Sequence, residues 1–190
     1  MNRIAIAYQS KYGQTEKIVN RIAEVFRAEG VGVDLINANA KPGALGSGYS
    51  RVIVGGAVYA GKLPKRLVSW ATENADRVNQ IGCDVFTVSL NAADARPEAR
   101  EVDFQLVKGF LTQTGLKPRL TKSLKGGLPY SKYGLFLRWM MLKISAAAKG
   151  PTDTSRDYEM TDWSEVEEFA RACAGSISTV AKGSLVGARS

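Results

Sequence analysis

The chain has 190 residues, 45% hydrophobic and 23% charged, a balance that excludes a disordered tract and suits one domain with a sizeable core. It has no histidine, which removes the commonest general base and the commonest zinc ligand, and its two cysteines, Cys83 and Cys173, have no metal-ligand spacing. The net charge of +8 belongs to one segment: Lys108, Lys117, Arg119, Lys122, Lys125, Lys132, Arg138, Lys143 and Lys149 lie between Asp103 and Asp153 with no acidic residue among them, leaving seventeen basic against eighteen acidic residues elsewhere.

Two unrelated cysteines fit a reduced, cytosolic setting without a metal, and a chain that starts directly in a strand predicts no signal peptide. That first strand, Arg3–Tyr8, is short and apolar, as a parallel strand buried on both faces is. It feeds the turn Ser10-Lys11-Tyr12-Gly13-Gln14-Thr15 and a helix predicted over Gln14–Glu29, with Ile18, Ile22, Val25 and Phe26 on one face and Gly30 as its stop. A strand, turn and helix in that order gather backbone N–H groups and a positive helix end at one point, which suits a phosphate. Ser10 and Thr15 add hydroxyls, Lys11 a charge and Gly13 a tight backbone; the alternative is an ordinary βα turn that binds nothing.

A second strand is predicted over Val31–Ala38, and Asn39–Ser50 is loop; its Gly43, Gly46 and Gly48 lack the spacing and preceding strand of a dinucleotide fingerprint. Arg51–Ala57 is the third strand, followed by Val58-Tyr59-Ala60-Gly61 and a helix over Leu63–Val78 burying Leu67, Trp70, Ala71 and Val78. Asp84–Leu90 is the fourth strand, Asn91–Arg96 a polar loop, and Pro97 opens a helix to Thr114. Leu116–Leu124 is a weaker fifth strand. Asp162 and Glu165 form a capping pattern for a last helix to Lys182, and residues 183–190 read as a tail.

Strands alternating with helices predict an α/β fold: a doubly wound, five-stranded parallel sheet of flavodoxin-like order 2-1-3-4-5 in one domain over residues 1–182. Ligands of such sheets sit beyond the carboxyl ends of strands 1, 3 and 4, here the loops Ser10–Thr15, Ala57–Gly61 and Ser89–Asp94. A phospho-receiver domain is excluded, because strand 1 ends in Ala7-Tyr8-Gln9-Ser10 without the carboxylates that hold Mg²⁺. A P-loop nucleotidase is excluded too, because Gly61-Lys62 is followed by Leu63.

Ser10-Lys11-Tyr12-Gly13-Gln14-Thr15 resembles the FMN-phosphate loop of flavodoxins, hydroxyl-x-x-Gly-x-Thr. Leu128-Pro129-Tyr130, Phe136–Ile144, Thr152-Asp153-Thr154 and Thr161-Asp162-Trp163 resemble the bacterial FMN-dependent protoporphyrinogen dehydrogenases that pass electrons to menaquinone, and the likeness runs through nearly the whole chain. Lys11-Tyr12 stand where the best-known members carry an Arg-Asp pair, and the aromatic of Ala57-Val58-Tyr59-Ala60 is shifted by about one position. The resemblance implies an FMN cofactor held by Ser10, Lys11, Tyr12, Gly13, Gln14 and Thr15. Ala57, Val58, Tyr59, Ala60 and Gly61, with Ser89, Leu90, Asn91 and Ala92, would flank the flavin ring.

Short flavodoxins pass from the fifth strand directly to the last helix, whereas here an insert of about residues 128–160 intervenes. Its middle predicts a helix over Lys132–Lys149. At 100° per residue Lys132, Arg138, Lys143 and Lys149 share an arc of roughly 140°, with Leu137, Met140, Met141 and Ile144 opposite and Leu135, Trp139 and Leu142 inside the basic arc. Eighteen residues would span about 27 Å, but Arg138 and Lys143 at mid-bilayer would each cost about 2.5–3.5 kcal/mol, so the segment does not cross a membrane. Two readings stay open. One is a helix lying on an anionic membrane surface, where each basic residue contributes about 1 kcal/mol; the other is a helix packed on the domain or in a homo-oligomer interface. Nucleic acid is disfavoured, because the aromatics sit in an apolar helix and not on a stacking sheet.

The function expected is therefore FMN-dependent oxidation of protoporphyrinogen IX in haem biosynthesis, with electrons passed to a membrane quinone. The setting would be cytoplasmic, peripheral on the inner face of the cell membrane. Lys132, Arg138, Trp139 and Lys143 are the candidates for substrate or membrane contact. No side chain presents itself as a general base. An electron-transfer flavodoxin, an NAD(P)H:quinone oxidoreductase and a membrane-binding module that has lost FMN are the alternatives.

Overall fold

A computed structural model describes residues 2–94, 96–147 and 150–186, with side chains as far as Gly175. Strands β1 (Arg3–Gln9), β2 (Gly32–Asn37), β3 (Arg51–Ala57), β4 (Cys83–Ser89) and β5 (Thr121–Lys125) form one parallel sheet in the order β2-β1-β3-β4-β5. The expected order is the observed one. β3 and β4 are buried along their whole length, so their apolar runs show no alternation.

Helices α1 (Gln14–Ala28) and α6 (Trp163–Val186) cover one face, where Ile4, Ile6, Ile18, Ile22, Phe26, Phe86 and Phe169 pack. Each large aliphatic side chain buried there contributes about 1.5–3 kcal/mol. α2 (Lys65–Glu73), α3 (Ala75–Ile81) and α4 (Pro97–Thr114) cover the other face over Val52, Val54, Leu67, Trp70 and Phe110. A Cβ on Gly55 would stand 2.0 Å from the Phe86 ring, so the central strand stays thin where that ring crosses it.

The helix expected over Leu63–Val78 is two helices, broken at buried Asn74. The Asn74 amide donates to the Trp70 carbonyl at 2.8 Å and its oxygen accepts from Leu45 N–H at 2.6 Å, so its side chain tethers the loop after β2 instead of continuing the helix face. β5 begins at Thr121, not Leu116. Leu116 is buried in the second core, and the start of β5 is tied to fully buried Asp84, which accepts from Leu120 N–H at 3.1 Å and pairs with Arg119 at 3.4 Å and Arg51 at 3.8 Å. α6 runs to Val186, so it takes in the start of the segment read as tail; residues 187–190 lie outside the described residues.

The insert departs most from expectation. It is bracketed by a two-stranded antiparallel pair, β6 (Gly127–Leu128) with β7 (Tyr158–Glu159), which no sequence pattern announced. Its helix α5 covers Leu135–Ala147, not Lys132–Lys149. Lys132 closes a separate 3₁₀ turn, Tyr130–Lys132, and Gly134 parts that turn from the helix, so Lys132 does not belong to the helical basic arc. Lys149 lies outside the described residues.

Candidate functional site

The turn after β1 is built around Gly13, whose φ of +99° is a left-handed conformation that favours glycine. Gly13 N–H donates to Ser10 Oγ at 3.1 Å, closing the turn, and Gly13 is the N-cap of α1 with no side-chain cap. The first N–H groups of α1 therefore have no intrahelical or capping partner and collect the positive end of a 15-residue helix. Thr15, 1% exposed, holds its Oγ1 in that place without a hydrogen-bond partner. A buried hydroxyl left alone costs about 1–3 kcal/mol, so this atom marks where a ligand oxygen belongs. An uncapped helix start, a left-handed glycine and an orphaned threonine hydroxyl fit the phosphate of a flavin mononucleotide.

Beside the turn lies a cleft of about 420 Å³. Lys11, Tyr12, Gln14 and Thr15 line it from the β1 turn, Ala57, Val58, Tyr59, Ala60 and Gly61 from the end of β3, and Ser89, Leu90 and Asn91 from the end of β4. Three loops assigned to one ligand from sequence thus meet in one cavity at the carboxyl end of the sheet. Ser10 and Gly13 shape the turn without lining the cleft, and Ala92 faces a different groove, with Arg100 and Phe104 of α4.

The β3 loop is a two-residue hairpin. Tyr59 and Lys62 exchange backbone hydrogen bonds at 2.9 and 3.0 Å, with φ of +48° at Ala60 and +72° at Gly61. A left-handed alanine costs roughly 1–2 kcal/mol, strain held where the loop edges the cleft. The β4 loop is fixed from below: Ser89 Oγ donates to buried Asp103 at 2.8 Å and accepts from Asn91 N–H at 2.9 Å. Burial raises the Asp103 carboxyl above its ordinary range, against the opposing hydrogen bond from Ser89.

The remaining walls come from the insert, and residue patterns did not identify them as part of a site. Tyr133, Leu137, Met140, Met141 and Ile144 line the cleft, with Gly126, Gly127 and Pro129 beneath them. The apolar arc of α5, opposite the basic arc, is the face turned to the cleft; that 3.6-residue spacing was the available signal. Tyr12 meets Tyr59 at 5.7 Å and Tyr133 at 5.2 Å between ring centroids, both edge-on, and Lys11 Nζ stands 5.1 Å from the Tyr12 ring. Burial raises the Tyr59 and Tyr133 phenols, which stay neutral and protonated. No carboxylate is among the described residues lining the cleft.

Gln14 Nε2 donates to Thr161 Oγ1 at 2.7 Å, and Thr161 Oγ1 donates to the Lys125 carbonyl at 2.9 Å, joining the turn after β1 to both ends of the insert. Of the residues named for substrate or membrane contact, Arg138, Trp139 and Lys143 lie outside the cleft lining, and Lys132 rests on the turn after β1. The exposed side of α5 carries Leu135 (85% exposed), Phe136 (76%) and Trp139 (57%), with Lys143 Nζ 6.0 Å from the Trp139 ring. Part of the basic excess is neutralised, since Arg119 pairs with Asp84 and Lys125 with Asp162 and Glu165.

The family model described as a flavodoxin domain matches residues 5–155. A protein of Escherichia coli strain K12 named protoporphyrinogen IX dehydrogenase [quinone] is 26% identical over 170 residues, covering 89% of this chain and 93% of that protein. One of the same name from Leishmania major is 24% identical over 164 residues, covering 86% and 71%. Among solved structures, oxidised flavodoxin 1 from Bacillus cereus superposes with a TM-score of 0.54 at 15% identity, covering 92% of this chain and 98% of that one. The rubredoxin oxygen:oxidoreductase of Desulfovibrio gigas gives 0.56 at 18% identity, with 94% of this chain matching 37% of that longer one. Family and fold together indicate a flavin cofactor.

Proposed function

The chain belongs to the flavodoxin domain family, and on that premise we propose that it is an FMN-dependent dehydrogenase that oxidises protoporphyrinogen IX and passes the electrons to a membrane quinone. The observation that carries the FMN assignment is the buried, unpartnered Thr15 hydroxyl at the uncapped start of α1, opening on a cleft bounded by Tyr12 and Tyr59. The relatives named for protoporphyrinogen oxidation support the substrate, and the basic segment suits a substrate bearing propionates.

When bound, the flavin supplies the redox chemistry that no side chain of this protein can replace. The start of α1, Thr15 and the Ser10–Gly13 turn would hold its phosphate. Backbone of Ala57–Gly61 and Ser89–Asn91 would flank the ring, and Tyr59 and Tyr12 would bound it with aromatic surface. Leu137, Met140, Met141 and Ile144 would offer a flat tetrapyrrole an apolar face. With no histidine in the chain and no carboxylate along the described lining, protons leaving the substrate pass to solvent.

The exposed Leu135, Phe136 and Trp139 at the start of α5, with Lys143 beside them, support docking on an anionic membrane surface from the cytoplasmic side. No helix among the described residues is long and apolar enough to cross a bilayer, so the contact would be peripheral. A quinone held in that membrane would then lie near the helix that lines the cleft.

Offering FMN-loaded protein three anaerobic reductants tests the reading. Protoporphyrinogen should bleach the flavin faster than NADPH or a reduced ferredoxin. Preferential bleaching by NADPH would make the protein an NAD(P)H:quinone oxidoreductase; bleaching by the ferredoxin alone would make it an electron carrier. A protein that stays colourless after FMN addition would remove every flavin role.

A further inference from the structure

We propose that Lys132, carried by the insert 120 residues after the phosphate turn, is the cation of the cofactor's phosphate site. The inference rests on the flavin reading and extends it to a residue outside the turn. Within the turn, Lys11 does not fill this role: its ammonium lies 5.1 and 5.9 Å from the Tyr12 and Tyr59 ring centroids, on the cleft side. Lys132 Nζ instead donates to the Tyr12 carbonyl at 2.6 Å and stands 3.5 Å from where a Cβ on Gly13 would be. Its charge rests against the residue that caps α1, two positions before the orphaned Thr15 hydroxyl.

The residues on either side of Lys132 are anchored. Tyr130, fully buried, donates from its hydroxyl to the Pro151 carbonyl at 3.1 Å, and Ser131 donates from N–H and Oγ to Asp157, each at 2.7 Å. On its other side Tyr133 packs edge-on against Tyr12. Lys132 takes part in none of the ion pairs among the described residues. Asp157 is held low chiefly by Ser131, with Lys132 and Arg138 as lesser influences. An ammonium with one carbonyl partner keeps two further donors, and a phosphate monoester is the strong acceptor that a helix start and a buried hydroxyl would bring beside it. By reciprocity, whatever Lys132 adds to phosphate binding the phosphate adds to docking of the insert. Lys132 thus separates FMN from riboflavin, which lacks the phosphate.

Calorimetric titration of flavin-free full-length protein with FMN and with riboflavin tests this. Lys132→Met and Lys132→Gln should each raise the FMN dissociation constant by about tenfold or more, the scale of one hydrogen bond between charged groups, and leave riboflavin affinity unchanged. Lys132→Arg should retain the preference for FMN, and salt should weaken FMN binding more steeply in the wild type than in Lys132→Met. Lys132→Gln keeps a donor for the Tyr12 carbonyl, so wild-type FMN affinity in that variant would overturn the role of the charge. Equal losses for both flavins would reduce Lys132 to a support of the fold and also overturn the proposal. A wild-type protein that binds riboflavin as tightly as FMN would overturn the phosphate role while leaving a flavin site; one that binds neither would overturn the flavin reading itself.

Discussion

Tyr133 of the insert meets Tyr12 of the turn after β1 edge-on, ring centroids 5.2 Å apart and planes at 72°. Two segments distant in sequence thus build one wall, and Tyr133 is only 9% exposed. Aromatic pairs of this kind contribute about 0.5–1.5 kcal/mol beyond their burial. Tyr133→Ala should weaken FMN binding by several-fold, read by flavin fluorescence on titration, and Tyr133→Phe should restore most of it. Unchanged affinity in Tyr133→Ala would separate the insert from the cofactor.

Thr15→Val keeps the shape of the side chain and removes the orphaned hydroxyl. The flavin-free variant should be as stable as the wild type or more so, because a buried hydroxyl without a partner costs about 1–3 kcal/mol. Its FMN affinity should fall by about tenfold, the loss of one such hydrogen bond. Thermal denaturation with and without FMN reads both effects, and a variant less stable without FMN would show that Thr15 serves the fold instead.

Replacing Leu135, Phe136 and Trp139 together with serine should abolish sedimentation with anionic vesicles and leave FMN binding intact, since none of the three lines the cleft. Neutral vesicles should bind the wild-type protein weakly, each lost lysine or arginine contact weakening adsorption by about 1 kcal/mol. Unchanged sedimentation would point to an apolar face that meets protein.

Asp103 supplies a pH dependence. Burial raises its carboxyl pKa in the folded protein, so the unfolded chain releases that proton first as pH rises. Its stabilising contribution is complete below the unfolded value and disappears as pH passes through the raised folded value. Asp103→Asn can still accept from Ser89 Oγ and should remove this dependence, so urea denaturation should show its advantage over wild type growing across the acid range and then levelling off. A constant difference would contradict the assignment.

The strand order and the three loops that line the cleft were legible because they rest on local rules: apolar runs for β1, β3 and β4, and glycine with hydroxyls before a helix for the turn after β1. The insert obeyed a tertiary rule. Leu137, Met140, Met141 and Ile144 showed their common face in sequence, but the contacts that hold this face to the cleft, among them the β6–β7 bracket, the Gln14–Thr161 hydrogen bond and the Tyr12–Tyr133 ring contact, are long-range. Lys132 was misassigned to a helical stripe because Gly134, which parts it from α5, reads as one weak residue in a long apolar run. The break at Asn74 was hidden for a similar reason: its partner, the Leu45 N–H, lies 29 residues away. The basic excess overstated the surface charge, since Asp84 and Asp162 neutralise part of it from outside the acid-free segment.

The most direct measurement mixes FMN-loaded protein with protoporphyrinogen under strict anaerobiosis, recording flavin absorbance and porphyrin fluorescence in one cuvette. In a protoporphyrinogen dehydrogenase the flavin should bleach as porphyrin fluorescence rises, and its colour should return when a quinone is added. A flavin that keeps its colour with excess protoporphyrinogen, while a chemical reductant bleaches it, would rule out protoporphyrinogen as the substrate.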